Sequence, residues 1–385
     1  MFDRPGYGER AVLVQVDFGQ GAIEERLAEL GLLAASAGAH VEAVMRAKRR
    51  APDPALYVGK GKAAELAETL RAHEADLVIF NHELAPGQQR NLERLLECRV
   101  VDRTALILDI FALRAKSHEG KLQVELAQLE HLSTRLIRGW THLERQKGGI
   151  GLRGPGETQL ETDRRLLGQR VKALRGRLAK LESQRRVRRR SRQRRDVMSV
   201  SIVGYTNAGK STLFNALTKA GTYAADQLFA TLDTTSRRLY LGEAGNIVLS
   251  DTVGFIRELP HSLVAAFHAT LEETVAADLL LHVVDAGSED RDAQVEAVNG
   301  VLAEIGAGDL PQVMVWNKID TTRAPAHFDR DACDRIRRVF VSAKTGEGLD
   351  LLRLALIEAV GGFHAVTRDS EASRSNSSNY DPLHS

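Results

Sequence analysis

The residues best suited to chemistry lie in the second half of the chain, in four short groups. The first is GYTNAGKS at 204–211, which matches G-x-x-x-x-G-K-[ST]. Gly204 and Gly209 let the backbone wrap around an anion, so that the N–H groups of Tyr205, Thr206, Asn207 and Ala208 face it. Lys210 would carry a cation to the β- and γ-phosphates of a nucleotide, and the Ser211 hydroxyl would bind Mg²⁺. VMSVSIVG (197–204) reads as a strand before this loop and STLFNALT as a helix after it. That strand–loop–helix context is missing from a chance match in a Gly-containing turn.

The second group is DTVG at 251–254, about 40 residues further on. Asp251 would hold a magnesium-bound water and Gly254 would offer its N–H to the γ-phosphate, with Thr252 and Val253 between them. Alone, D-x-x-G is a bland turn; its place after the loop gives it weight. QLFATLDTTS (227–236) lies between, and Phe229, Ala230, Thr231, Leu232 and Asp233 are expected to line the nucleotide. Thr231 is chosen as the second magnesium ligand beside Ser211. Thr234 and Thr235 compete with it, and an ordinary polar linker is the plain alternative.

The third group, NKID at 317–320, ends an apolar strand, where α/β sheets place ligands. Asp320 could accept two hydrogen bonds from the guanine N1–H and amino group. Asn317 would face the opposite edge, and the Lys318 stem would cover the base beside Ile319. Adenine would leave the Asp320 carboxylate unpaired, which is costly. The fourth group, Ser342, Ala343 and Lys344, supplies a backbone N–H for guanine O6. The expected chemistry is therefore GTP hydrolysis carried by Lys210, Ser211, Thr231, Asp251 and Gly254. Phosphoryl transfer depends on positioning and charge stabilisation more than on covalent chemistry. Phe255 stands where Ras-type switches carry a water-orienting Gln, so slow, partner-stimulated hydrolysis is expected. Arg257 and Glu258 are nearby substitutes in cis. Asn207 raises K⁺ beside the phosphates, against a purely structural role.

These groups need elements to position them. Residues 1 to about 115 alternate apolar strands (11–18, 40–47, 76–84, 99–104) with helical stretches, which implies a mainly parallel sheet. From 117 the pattern changes. Leu122, Leu126, Leu129, Leu132, Leu136, Trp140 and Leu143 recur three and four apart, and Leu160, Leu167, Val171, Leu174, Leu178 and Leu181 form a second run. That is a coiled-coil seam folded into an antiparallel hairpin. Its tip, KGGIGLRGPGETQ (147–159), is too rich in Gly and Pro for helix. Its second arm runs into RRVRRRSRQRR (185–195). Strands at 239–251 (a hairpin), 279–287, 312–318 and 339–344 and a closing helix at 349–360 complete a second α/β region. The fold class expected is α/β: an N-terminal α/β domain (1–115), a helical hairpin (116–195), a P-loop GTPase domain with a mostly parallel sheet (196–363) and a disordered polar tail (364–385).

The combination FATLD…DTVGF, preceded by VDRTALILDIFALRAKSHEGKLQVELAQL and GIGLRGPGETQLETDRR, resembles the HflX family, and residues 197–360 resemble a translation-factor-class GTPase domain. The resemblance spans about residues 10–360. It implies a GTPase that associates with the large ribosomal subunit and separates stalled or idle ribosomes. Large-subunit assembly and ATP-dependent RNA remodelling by the N-terminal domain are the rival readings. The family often carries a small further C-terminal domain, whereas here a polar tail follows residue 363.

Composition fits a ribosome partner without announcing one. The formal net charge is only +2, but the cations cluster in 185–195. That run suits rRNA phosphates, and a solvated helix end is its plain reading. Arg153 in the tip could contact RNA; the tip could equally be a connector. YVGKGKAAEL (57–66) carries G-x-G before a helix but completes no nucleotide fingerprint. Cys98 and Cys333 lie far apart, which argues for a reducing compartment. No apolar run approaches membrane length, and no signal peptide is visible. A cytoplasmic monomer without DNA specificity is expected.

Overall fold

The computed structural model describes residues 8–19, 21–144, 155–193, 197–219, 228–258, 260, 263 and 268–377, with side chains omitted in parts of these. Contacts divide the chain into two compact units. The first comprises Met1–Leu181 with Gln227–Phe229 and Pro260–Ala266; the second comprises Glu182–Asp226, Ala230–Leu259 and Phe267–Ser385.

In the first unit, β1 (Arg10–Asp17), β2 (His40–Lys48), β3 (Leu77–Phe80) and β4 (Arg99–Asp102) form an all-parallel sheet in the order β2-β1-β3-β4. The connecting helices are α1 (Ile23–Ser36), α2 (Lys60–Ala72) and α3 (Pro86–Leu96). Continuous apolar stretches such as AVLVQV in β1 are buried on both faces, as parallel strands require. The segment expected as a strand over 99–104 stops at Asp102. Its carboxylate accepts the Ala105 N–H at 2.9 Å and thereby caps a new helix, α4 (Arg103–Arg114). Asp102 is fully buried and also accepts from the Leu84 N–H and from Arg135 of the next helix.

That next helix, α5 (His118–Glu144), pairs with α6 (Pro155–Gln193). Leu122, Leu126 and Leu174 are buried at the seam, with Leu129, Val171, Leu178 and Leu181 packed around them. Arg170–Glu125 and Arg175–Glu130 ion pairs flank it at 2.6 and 2.7 Å. Helix α6 begins at Pro155, earlier than the Gly/Pro content suggests, because proline is tolerated in a helix's first turn. The rest of the tip, 145–154 with Arg153, lies outside the described residues. So do 194–195 and the side chains of 185–193 in the basic run.

Two other stretches belong to the first unit. Leu228 donates its N–H to Ser36 Oγ at 3.1 Å, and the Phe229 ring stands edge-on to Phe111 at 4.7 Å.

The second unit is built on a seven-stranded sheet, β10-β11-β9-β8-β5-β7-β6. Its strands are β5 (Ser199–Gly204), β6 (Thr235–Tyr240), β7 (Asn246–Asp251), β8 (Leu279–Asp285), β9 (Gln312–Asn317), β10 (Phe328–Arg330) and β11 (Ile336–Phe340). Only β6 and β10 run antiparallel to their neighbours. The helices are α7 (Lys210–Thr218), α8 (His268–Val275), α9 (Arg291–Glu304), the short α10 (Ile319–Thr322) and α11 (Leu349–Ser377). Helix α11 continues through residues 364–377, where a disordered tail was expected. A polar composition does not stop a helix, and no proline occurs between Leu349 and Pro382. Residues 378–385 lie outside the described set.

Candidate nucleotide site

The four chemistry-bearing groups emerge together because each sits where a parallel strand ends. Gly204 ends β5, Asp251 ends β7, Asn317 ends β9, and Ser342 follows β11. Parallel register places their C-terminal ends along one edge of the sheet, which is where such folds bind ligands.

The loop between β5 and α7 makes glycine necessary at two points. Gly204 has φ +146°, and a Cβ there would lie 2.2 Å from the Val283 carbonyl oxygen. Gly209 has φ +91°, and a Cβ would lie 2.2 Å from Asn317 Nδ2. The same Nδ2 donates to the Ala208 carbonyl at 2.8 Å, while Asn317 Oδ1 accepts the Ala343 N–H at 2.9 Å. Asn317 thus ties the phosphate-type loop to the Ser342–Lys344 segment. Asn207 also adopts a left-handed φ of +61°. Tyr205 and Ala208 are buried.

Ser211 Oγ lies 2.7 Å from Asp251 Oδ2 and 2.7 Å from Thr231 Oγ1. Among the candidate threonines, Thr231 is thus joined to the loop's serine. Asp251 is fully buried, and its Oδ1 has no hydrogen-bond partner. Burial raises its pKa, opposed by the Ser211 hydrogen bond and by the charge of Lys210. Lys210 is buried and donates to the Tyr205 carbonyl at 2.7 Å; burial lowers its pKa to about 8. Thr206 Oγ1 is a second buried oxygen without a partner. Hard hydroxyl and carboxylate oxygens with an unsatisfied Oδ1 fit Mg²⁺. No group of three or more His, Cys, Asp or Glu among the described residues could hold a metal by itself. An ion here would need nucleotide phosphates and water to complete its shell, as Mg²⁺ ordinarily does.

Gly254 is crowded. A Cβ there would lie 2.7 Å from Thr206 Cγ2 and 2.9 Å from Lys210 Nζ. Its neighbour Phe255 is fully buried, with its N–H on the Gly204 carbonyl and its carbonyl accepting from Thr206 N–H. The aromatic ring is part of the core and has no route to a water molecule. Arg257, a candidate substitute, pairs with Asp290 at 3.3 Å, and its N–H donates to the Tyr205 hydroxyl. Glu258 has φ +50°.

At the base end, Asp320 is exposed and its Oδ1 accepts from Ser342 Oγ at 2.7 Å. Lys318 Nζ lies 2.8 Å from Asp285 Oδ2. Asp285 had no place in the sequence reasoning. It pairs in register with Asn317 across β8 and β9, so only sheet register reveals it. Thr252 donates its hydroxyl to the Ile202 carbonyl, and Val253 and Ile319 are buried packing residues. Ala230, Leu232 and Asp233 flank Thr231 in the second unit, while Phe229 is committed to packing in the first. The G-x-G at 59–61 has a structural cause. Gly59 has φ +84°, and a Cβ there would strike Arg49 Nη1, which donates to the Val58 carbonyl.

Comparison with known proteins bears on this arrangement. Three family profiles match in sequence: GTP-binding GTPase N-terminal over 24–112, GTP-binding GTPase middle region over 114–192, and 50S ribosome-binding GTPase over 199–318. The GTPase HflX of Escherichia coli K12 is 58% identical over 363 residues, covering 94% of this chain and 85% of that protein. The GTPase HflX of Magnetococcus marinus is 49% identical over 357 residues, covering 92% and 82%. Among solved structures, the SsGBP–GDP complex matches with TM-score 0.52 at 25% identity, covering 92% of this chain and 99% of that one.

Proposed function

The chain belongs to the HflX family of GTPases, and from that membership we propose that it is a magnesium-dependent switch that engages the large ribosomal subunit and splits ribosomes. The Ser211–Asp251–Thr231 cluster carries the nucleotide half of this reading. In it, Ser211 and Thr231 ligate Mg²⁺ directly and Asp251 holds one of its waters. Lys210 and the loop amides from Tyr205 to Ala208 take the phosphates, and Gly254 contacts the γ-phosphate. Mg²⁺ would neutralise charge on the phosphate oxygens. Asp320 reads guanine, supported by Ser342; Lys318 covers the base, held by Asp285. With Phe255 in the core, water is positioned by a partner, so hydrolysis is slow in the free protein. K⁺ beside Asn207 is part of the proposal; equal turnover in KCl and NaCl would remove it.

The ribosomal half is supported by the description of the matched GTPase profile and by the outer surface of α6. Arg164, Arg165, Lys172, Arg177 and Lys180 are exposed there. A dense line of cations is suited to an RNA backbone. We further propose four functional regions, 1–115, 116–195, 196–363 and 364–385, in a monomer that works in the cytoplasm. No helix among the described residues is long and apolar enough to cross a membrane.

The deciding experiment is light scattering of whole ribosomes mixed with the protein and GTP, GDP, ATP or a non-hydrolysable GTP analogue. A loss of scattering with GTP or its analogue alone is expected. Unchanged scattering with every nucleotide would reject splitting and leave large-subunit assembly as the ribosomal role. Loss driven by ATP would favour RNA remodelling by the N-terminal domain.

A further inference from the structure

The seven-stranded sheet ends in β10 on one side and β6 on the other, and the charges at these edges differ. Strand β10 is three residues long, and its charges are matched within the unit. Asp329 pairs with Arg338 at 3.4 Å and Arg330 with Glu358 at 2.7 Å. Strand β6 runs for six residues, Thr235–Tyr240, about 20 Å of backbone. Pairing with β7 uses the backbone groups on one side of β6, and those on the other side point away from the sheet. Leu239 is buried in the core, whereas Ser236, Arg237, Arg238 and Tyr240 are exposed, Tyr240 to 67%. Across the ladder Arg237 and Arg238 stand opposite Leu249 and Val248, which carry no charge. Among the described residues neither guanidinium has a carboxylate within ion-pairing distance, and the Tyr240 ring stacks on no other ring.

We propose that the β6 edge binds an extended acidic segment of a partner protein as an added strand. The outward N–H and C=O groups of β6 would pair with the backbone of that segment, and side chains would select it. Successive side chains of a strand point to opposite faces, so Arg237 and Arg238 project on opposite sides of the sheet. An RNA backbone lying on either face meets only one of them. A strand added at the edge alternates in the same way, so two consecutive carboxylates on it meet both cations. Tyr240 shares the face of Arg238 two residues further on, and there it offers its ring to an apolar side chain of the segment. A second copy of this chain, pairing through its own β6, would bring four guanidinium groups together. A purely apolar strand would cover both cations with nothing that pairs with them. The inference does not rest on ribosome association.

Because α6 offers other cations, the readout must be local to this edge. The full-length chain with GDP is titrated with a short, capped, fluorescent peptide that carries two consecutive glutamates among valines and threonines. Its controls are the glutamine version, the glutamate version N-methylated at alternate amides, and an oligouridine. The glutamate peptide should raise anisotropy saturably, with an affinity at least about tenfold above both control peptides. It should also slow amide exchange in β6. Arg237→Glu with Arg238→Glu should lose the glutamate peptide and accept its lysine counterpart, while GDP affinity holds. Unchanged anisotropy would leave the two cations as guards of a bare edge and overturn the proposal. Equal binding of the N-methylated peptide, or equal protection of β6 by oligouridine, overturns it as well. If the double variant does not bind GDP, exchange in the natural chain decides. Protection in β6 by the glutamate peptide alone supports the proposal, and protection confined to α6 overturns it.

Discussion

At the scale of single residues, the proposed reading of guanine rests on one exposed carboxylate, Asp320, which accepts a hydrogen bond from the Ser342 hydroxyl. Asp320→Asn should weaken GTP binding by roughly tenfold to a hundredfold and favour XTP, because the amide opposes the guanine N1–H. Titration with fluorescent GDP and XDP checks this, and unchanged GDP affinity would contradict the assignment. Lys210 makes a second, pH-dependent prediction. Its pKa of about 8 lies below the usual lysine value because the amine is buried. Phosphates favour the charged form and raise that pKa, so nucleotide binding takes up a proton above about pH 8. Affinity should therefore fall as pH rises past 8, by up to about tenfold per unit. Lys210→Arg keeps its charge, and its flatter profile isolates the lysine's share from the titration of guanine itself. Much of this scale was legible in the sequence. The phosphate loop, Asp251, Thr231 and the NKID group were all read there, since short motifs carry their own spacing. Asp285 and the Arg257–Asp290 pair were not, since each depends on which strand or loop comes alongside.

Elements impose their own chemistry. His282 sits in the middle of β8, almost wholly buried, with its pKa lowered to about 4 chiefly by burial. Between that value and the unfolded 6.5, only the unfolded chain binds the proton. Stability of the second unit is therefore full above about pH 6.5 and should fall by about 3 kcal/mol as pH drops to 4. His282→Asn should flatten that slope in thermal melts across this window; an unaltered slope would assign the acid loss elsewhere. In the hairpin, Leu174 is nearly inaccessible against Leu122 and Leu126. Leu174→Ala should cost about 3 kcal/mol of local packing, visible as faster amide exchange in α5 and α6. The seam was readable because heptad spacing is a local signal. Helix α4 was hidden because VVDRT reads as strand until Asp102 turns its carboxylate onto the Ala105 N–H. Strand β10 was hidden because three residues carry no period, and it exists only by pairing with β11.

For the whole molecule, ribosome engagement and nucleotide turnover should be separable by mutation. Arg177→Glu with Lys180→Glu reverses two exposed charges on α6 without touching the nucleotide loops. Co-sedimentation with 50S subunits should weaken by about tenfold or more at moderate salt, and GTP turnover without ribosomes should stay unchanged. Equal loss of both would mean that the helix is structural. Sequence periodicity marked four regions, whereas tertiary contacts gather the first region and much of the hairpin into one unit. Helices α3 and α4 pack against α5, a partnership between segments that no local pattern announces. One further consequence belongs to the hairpin of β6 and β7. Its turn, Gly242–Gly245, lies at the end of those strands opposite Asp251, and a Cβ at either glycine would meet nothing within 4 Å. That turn is a place to cut and rejoin the chain. A fluorescent-protein graft or circularly permuted termini there would report on nucleotide binding from the far side of the sheet, leaving the edge that carries the candidate site intact.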